Sequence, residues 1–236
     1  MRLSTPIYKL KHLAKRRARE RSIPLHAALN GIARDHGFQS WSHLASAHVS
    51  RPADQIAKRL EPGDMMLIGA RPGHGKTMLA LDLARFAGTL GRQGVFFTLD
   101  YTEDDVQARL GELAPDAPGP AEGVLVDTSD QICAEYIIAR LRAVTGEVLA
   151  VVDYLQLLDQ KRSHPDLETQ IVELRDYARA TGAIIVVISQ IDRRFEQSDA
   201  QLPSLSDVRL PNPLNLGHFN KHCFLHDGEI RLDTAA

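Results

Sequence analysis

The chain has 236 residues, 44% of them apolar and 25% charged, a formal net charge of −2 and two cysteines. This is material for one α/β domain with a small appendage. No apolar run approaches the roughly 18 residues that a membrane span needs, no apolar stretch marks a secretory signal, and Cys133 and Cys223 stand apart without metal or disulfide spacing, so a reduced, cytoplasmic protein without membrane partners is expected.

The small net charge conceals an asymmetry. Residues 1–51 carry ten Lys and Arg against Glu20 and Asp35 alone, which leaves an acidic body behind a basic head. An organelle transit peptide would share the Arg-rich, acid-poor composition of residues 1–21. In the head, Ile7, Leu10, Leu13, Ala14 and Ala18 recur at helical spacing, with Lys and Arg on the other faces. Pro24 opens a second helix through Ala28, Leu29 and Ile32 that stops at Gly37, and Ser40 can cap a short helix holding Trp41 and Leu44. The basic faces could meet a phosphate backbone, a protein partner, the acidic body or only water. Trp41 reads as core of this module. Segment 50–54 is the expected linker, dividing a basic helical module (1–50) from a second domain (55–236).

From Met65 apolar runs alternate with amphipathic helices, the pattern of a parallel sheet with crossover helices. Strands fit 65–70, 95–100, 123–128, 148–153 and 183–189. Helices fit 76–90, 103–113 with a Thr102/Asp105 capping pair, 131–144 capped by Asp130, and 166–181 ending at Gly182. A closing hairpin is expected where Cys223–Leu225 and Glu229–Leu232 flank Asp227-Gly228. Residues 192–221 are polar and aperiodic, long enough for a functional loop.

The segment Ala70-Arg71-Pro72-Gly73-His74-Gly75-Lys76-Thr77 follows a predicted strand and opens a predicted helix, the setting of a Walker A phosphate loop, with Ala at the first glycine. Backbone N–H groups and the helix N-terminus converge there on phosphate, Gly73 and Gly75 permit close approach, Lys76 serves the β- and γ-phosphates, and Thr77 offers a hydroxyl to Mg²⁺. The cofactor-binding set is Arg71, Gly73, His74, Gly75, Lys76, Thr77 and Met78. Val148–Asp153 supplies the second half, an apolar strand ending in a carboxylate able to join Thr77 in holding Mg²⁺. ATP and Mg²⁺ are the expected cofactors.

Asp153-Tyr154-Leu155-Gln156-Leu157-Leu158, together with Ala70-Arg71-Pro72 and Ser189-Gln190-Ile191-Asp192-Arg193, resembles the ATPase domain of DnaB-type replicative helicases in the RecA-like superfamily. The resemblance covers roughly residues 60–210. It implies a RecA-like P-loop core, ATP hydrolysis, a homo-oligomeric ring and action on single-stranded DNA. It places Asp100 where the family has a catalytic glutamate, Gln190 at the γ-phosphate-sensing glutamine, and Arg193 and Arg209 at DNA contacts. The chain also departs from the family. After Arg209, Leu210-Pro211-Asn212-Pro213-Leu214-Asn215 stands where the family has a glycine-containing DNA-gripping loop, and only Arg231 is left to match its Lys-x-Arg pair. The expectation is therefore a DnaB-like ATPase acting on or with DNA. Its rivals are a slow or non-hydrolysing switch that binds a protein partner or DNA without unwinding, and a regulatory ATPase of the KaiC or RadA kind. If Asp100 is not the base, Glu103 is the alternative.

Overall fold

A computed structural model describes residues 7–42, 44, 52–113, 123–159, 164–198, 200–210 and 212–234. The chain divides into two compact units, Met1–Pro52 and Ala53–Ala236.

In the first unit, helices α1 (Ile7–Glu20) and α2 (Leu25–Asp35) pack through Leu10, Ala14, Ala28, Ile32 and Ala33, joined by Leu44. Trp41 is partly buried against this cluster, and its backbone N–H donates to Asn30 Oδ1 at 2.9 Å. Arg17 pairs with Asp35 at 2.7 Å. The expected linker is in part a helix: Ser50 and Arg51 lie outside the described residues, but Pro52 begins α3 (Pro52–Ala57), where its missing N–H costs nothing. Ala53, Ile56 and Ala57 are buried in the second unit's core, so the apolar spacing overrides the loop-like composition.

The second unit is one seven-stranded sheet. In chain order it contains β1 (Met65–Ala70), α4 (Lys76–Ala87), β2 (Gln93–Thr98), α5 (Glu103–Leu113), β3 (Val124–Asp127), α6 (Ala134–Arg142), β4 (Val148–Asp153), α7 (Leu167–Thr181), β5 (Ile184–Gln190), β6 (Lys221–His226) and β7 (Glu229–Thr234). The strand order is β3-β2-β4-β5-β1-β6-β7, parallel except for the β6–β7 hairpin. Both faces are covered, and the two-residue period of the strands sorts their side chains. Met66 and Ile68 of β1, Val151 of β4 and Val186 of β5 join α4 and α5 on one face. Met65, Leu67, Val152 and Val187 join α6 and α7 on the other. Gly94 of β2 is required by this packing, because a Cβ there would sit 2.1 Å from the carbonyl oxygen of Ala84 on α4.

Several element ends differ from expectation; α4 stops at Ala87, with Gly88–Leu90 a 3-10 turn, and two further cases have a tertiary cause. β2 ends at Thr98, not at residue 100, because its parallel pairing with β4 stops at Thr98 opposite Asp153 and the Thr98 hydroxyl accepts the Asp100 N–H at 3.1 Å. α6 begins at Ala134 rather than 131, and Asp130 does not cap it. The Ala134 N–H donates instead to Gln170 Oε1 at 3.1 Å, a cap supplied by α7. The aperiodic stretch after β5 is tied down: Glu168 of α7 accepts from the Asn215 N–H at 2.7 Å and meets His218 Nε2 at 2.5 Å.

Candidate nucleotide site

Strands β1, β2, β4 and β5 run parallel, so their carboxyl ends open on one edge of the sheet, the edge where open α/β sheets bind ligands. The loop after β1 turns there. Gly73 (φ 82°) and Gly75 (φ 84°) both adopt the left-handed conformation that a side chain resists, and Gly75 is the residue from which α4 starts. Nothing lies within 4 Å of where a Cβ would stand on either glycine, so the loop presents open backbone. Lys76 and Thr77 form the first turn of α4, followed by Met78, and all three are partly buried.

Asp153 closes the other side. It is buried at the end of β4, with the Thr77 hydroxyl and the Lys76 ammonium acting on it directly. Burial pushes its carboxyl up to about 6; Thr77 and Lys76 pull it down, Asp100 pushes it up, and Arg109 pulls it down. Asp153 Oδ2 is buried without a hydrogen-bond partner. A buried carboxylate oxygen left orphaned beside a threonine hydroxyl and facing a phosphate-type loop is the donor set of a hard divalent cation, so the residues present fit Mg²⁺.

Asp100 lies in the exposed bend after β2, close enough for its charge to act on both Asp153 and Tyr154. Glu103 is exposed at the start of α5. Gln190 ends β5, paired in register with Ala70 at the mouth of the loop. Its carbonyl accepts the Arg209 N–H at 2.8 Å, and an antiparallel bridge joins Ile191 to Val208. Gln156 Nε2 holds the Arg209 carbonyl at 3.1 Å. Arg209 and Arg193 therefore flank one short two-stranded lip, both exposed. Arg71 is engaged within the protein: Nε donates to Glu196 at 2.7 Å and Nη1 to the Ile191 carbonyl at 3.0 Å, which ties the phosphate loop to that lip. His74 faces the hairpin, stacked on His226 with centroids 4.7 Å apart. Arg231 on β7 donates to Asp233 at 2.8 Å and to the Pro203 carbonyl at 3.1 Å.

Arg109 is the residue that sequence reasoning missed. Its guanidinium lies 4.4 Å from the centroid of the Tyr101 ring, its Nε is buried without a partner, and its charge reaches Asp153. The signal available was an aromatic residue just before α5 and an arginine about two helical turns on, which becomes a site feature only when α5 is packed against α4 and β3.

The model of the family described as "DnaB-like helicase C terminal domain" matches residues 50–114 and 121–212, more than half of the chain. The replicative DNA helicase DnaB of Leifsonia xyli subsp. xyli is 27% identical over 192 residues, covering 66% of this chain and 41% of the relative. That of Geobacillus stearothermophilus is 27% identical over 188 residues, with coverage of 66% and 41%. The chain thus spans less than half the length of the curated relatives it matches. Among solved structures, one described as an ATPase domain superposes with a TM-score of 0.56 at 20% identity, covering 70% of this chain and 69% of that one. A DnaB-like replicative helicase, described with its interactions with primase, gives 0.56 at 21% identity over 69% of this chain and 47% of that one. These two likenesses are of fold.

Proposed function

This chain belongs to the family of DnaB-like helicase C-terminal domains, and from that premise we propose that it is a RecA-like P-loop ATPase that binds Mg-ATP and works on or with DNA. The observation that carries the reading is the meeting of Lys76 and Thr77, at the first turn of α4, with the buried and half-orphaned carboxylate of Asp153. Loop N–H groups and Lys76 take the β- and γ-phosphates. Thr77 and Asp153 hold Mg²⁺, which supplies charge neutralisation to the phosphoryl oxygens when bound. Asp100 accepts the proton of the attacking water, Gln190 contacts the γ-phosphate, and Arg109 adds positive charge from α5. Arg193 and Arg209 on the lip contact phosphates of single-stranded DNA. The chain works in the cytoplasm as a homo-oligomer, in which a neighbouring copy supplies the arginine that completes the site.

A second reading, a slow or non-hydrolysing switch, is favoured by Arg231. Its donors are already engaged by Asp233 and Pro203. Asp100 also carries one methylene fewer than the glutamate that the family resemblance places there. ATP turnover by the purified chain with and without single-stranded DNA, compared with Lys76→Ala, separates the two. DNA-stimulated turnover lost in the variant supports the ATPase, and Mg-dependent ATP binding without turnover supports the switch. Absence of both binding and turnover removes both readings.

A further inference from the structure

The His74 side chain is engaged outside the phosphate loop. The residue stands between the two left-handed glycines, yet its side chain is turned to the β6–β7 hairpin. There it meets His226, the last residue of β6, and Asp227, the first residue of the turn. The two imidazoles are stacked, 14° from parallel, and Phe195 packs edge-on against His226 with centroids 4.9 Å apart. Both imidazoles are mostly buried, while Asp227 is open to solvent.

The spacing within this group is informative. Asp227 Oδ1 lies 3.7 Å from His74 Nδ1, and Asp227 Oδ2 lies 3.8 Å from His226 Nε2. Both separations exceed a hydrogen bond, so the carboxylate is not bonded to either ring. They are close to the roughly 3.3–3.5 Å between two ligands of a tetrahedral ion with metal–ligand bonds near 2.0–2.1 Å. One nitrogen or oxygen from each of the three residues lies within 4.8 Å of the others, the one such His, Cys, Asp and Glu group among the described residues. His226 Nδ1 is buried without a hydrogen-bond partner, so no protein group fixes the tautomer of that ring. His74 Nδ1 accepts the exposed Asp227 N–H at 3.1 Å; on ligation, water takes over that N–H.

We infer that His74, His226 and Asp227 form a binding site for a borderline-soft divalent cation of the Zn²⁺ class, which clips the phosphate loop to the β6–β7 hairpin. Two imidazoles and one carboxylate select Zn²⁺, Co²⁺, Ni²⁺ or Cu²⁺ over the oxygen-seeking Mg²⁺ and Ca²⁺, so this site is chemically distinct from Thr77 and Asp153. Three protein ligands leave the fourth position to water. Because the rings are stacked, one of them turns about χ2, a soft torsion in histidine, to bring both lone pairs onto the ion. Ligation of His74 fixes the loop backbone between Gly73 and Gly75, so cation and nucleotide affinities are coupled, each changing the other by the same factor.

The test is a Co²⁺ titration of the full, tag-free chain, followed through the visible absorption of tetrahedral Co²⁺. One equivalent is expected to bind, to be displaced by Zn²⁺ and to be indifferent to excess Mg²⁺. His74→Asn and His226→Ala should each weaken binding by at least about 10- to 100-fold, and Asp227→Asn should weaken it less. Circular dichroism checks that each variant is folded, and His226→Gln replaces His226→Ala should the latter unfold. No saturable Co²⁺ binding, or binding of parental strength in either folded histidine variant, overturns the site. Neither result bears on Lys76, Thr77 or Asp153, so the ATPase reading stands or falls separately.

Discussion

At the scale of single residues the site is held together by one costly group. The Asp153 carboxyl keeps its proton up to about pH 6 in the folded chain, chiefly because it is buried, but only within the usual carboxylate range when unfolded. Between about pH 4 and 6 the folded state therefore binds more protons, and this group's contribution to stability falls as pH rises through that window. Asp153→Asn removes the penalty. The metal- and nucleotide-free variant should be more stable at neutral pH by up to about 3 kcal/mol, with a flatter stability profile across the window, while losing the Mg²⁺ dependence of nucleotide binding. Parallel profiles for parent and variant would show that the carboxyl is ionised throughout. Asp100→Asn should leave ATP affinity unchanged and lower turnover by about 10²- to 10⁴-fold, measured under single-turnover conditions, and an unaltered rate would transfer the base role to Glu103. The phosphate loop and Asp153 were legible in the sequence because each is a local strand-end signal of glycine, lysine or carboxylate. Arg109 and the Phe195–His226–His74 stack were not, since each joins residues distant along the chain that only the sheet order brings together.

At the scale of elements, apolar runs found the first five strands and the Asp227-Gly228 turn the last two, but ends that depend on distant partners were misplaced. β2 stops where its ladder with β4 stops, a tertiary limit invisible in Val95-Phe96-Phe97-Thr98-Leu99. The start of α6 is set by Gln170, a fully buried glutamine on α7. Its Oε1 accepts from Ala134, and its Nε2 donates to the carbonyls of Leu158 at 2.5 Å and Pro165 at 2.8 Å. One side chain thus joins the start of α6, the 3-10 turn after β4 and the approach to α7. Gln170→Leu keeps the volume but orphans all three backbone groups. It should lower the urea midpoint by an amount equivalent to about 1–3 kcal/mol without changing the slope of the transition, and a midpoint within error of the parent would mean that water replaces the amide.

At the scale of the whole molecule, the charge asymmetry read from the sequence coincides with a division into two compact units at Pro52 and Ala53. Removing residues 1–52 should leave a folded second unit with unchanged ATP affinity, because its core clusters are built, among the described residues, from Ala53 onward. If the head contacts nucleic acid, the shortened protein should bind single-stranded DNA more weakly and with a shallower salt dependence, and coincident binding curves would assign the head to a protein partner or to structure alone. If the loop from Ala70 to Thr77 and Asp153 form one Mg-ATP site, equilibrium titration with a fluorescent ATP analogue shows it most directly. Saturable binding should be tightened by Mg²⁺, weakened by chelation and abolished by Lys76→Ala in a variant with parental circular dichroism. Equal affinity of parent and Lys76→Ala, with or without Mg²⁺, would contradict it.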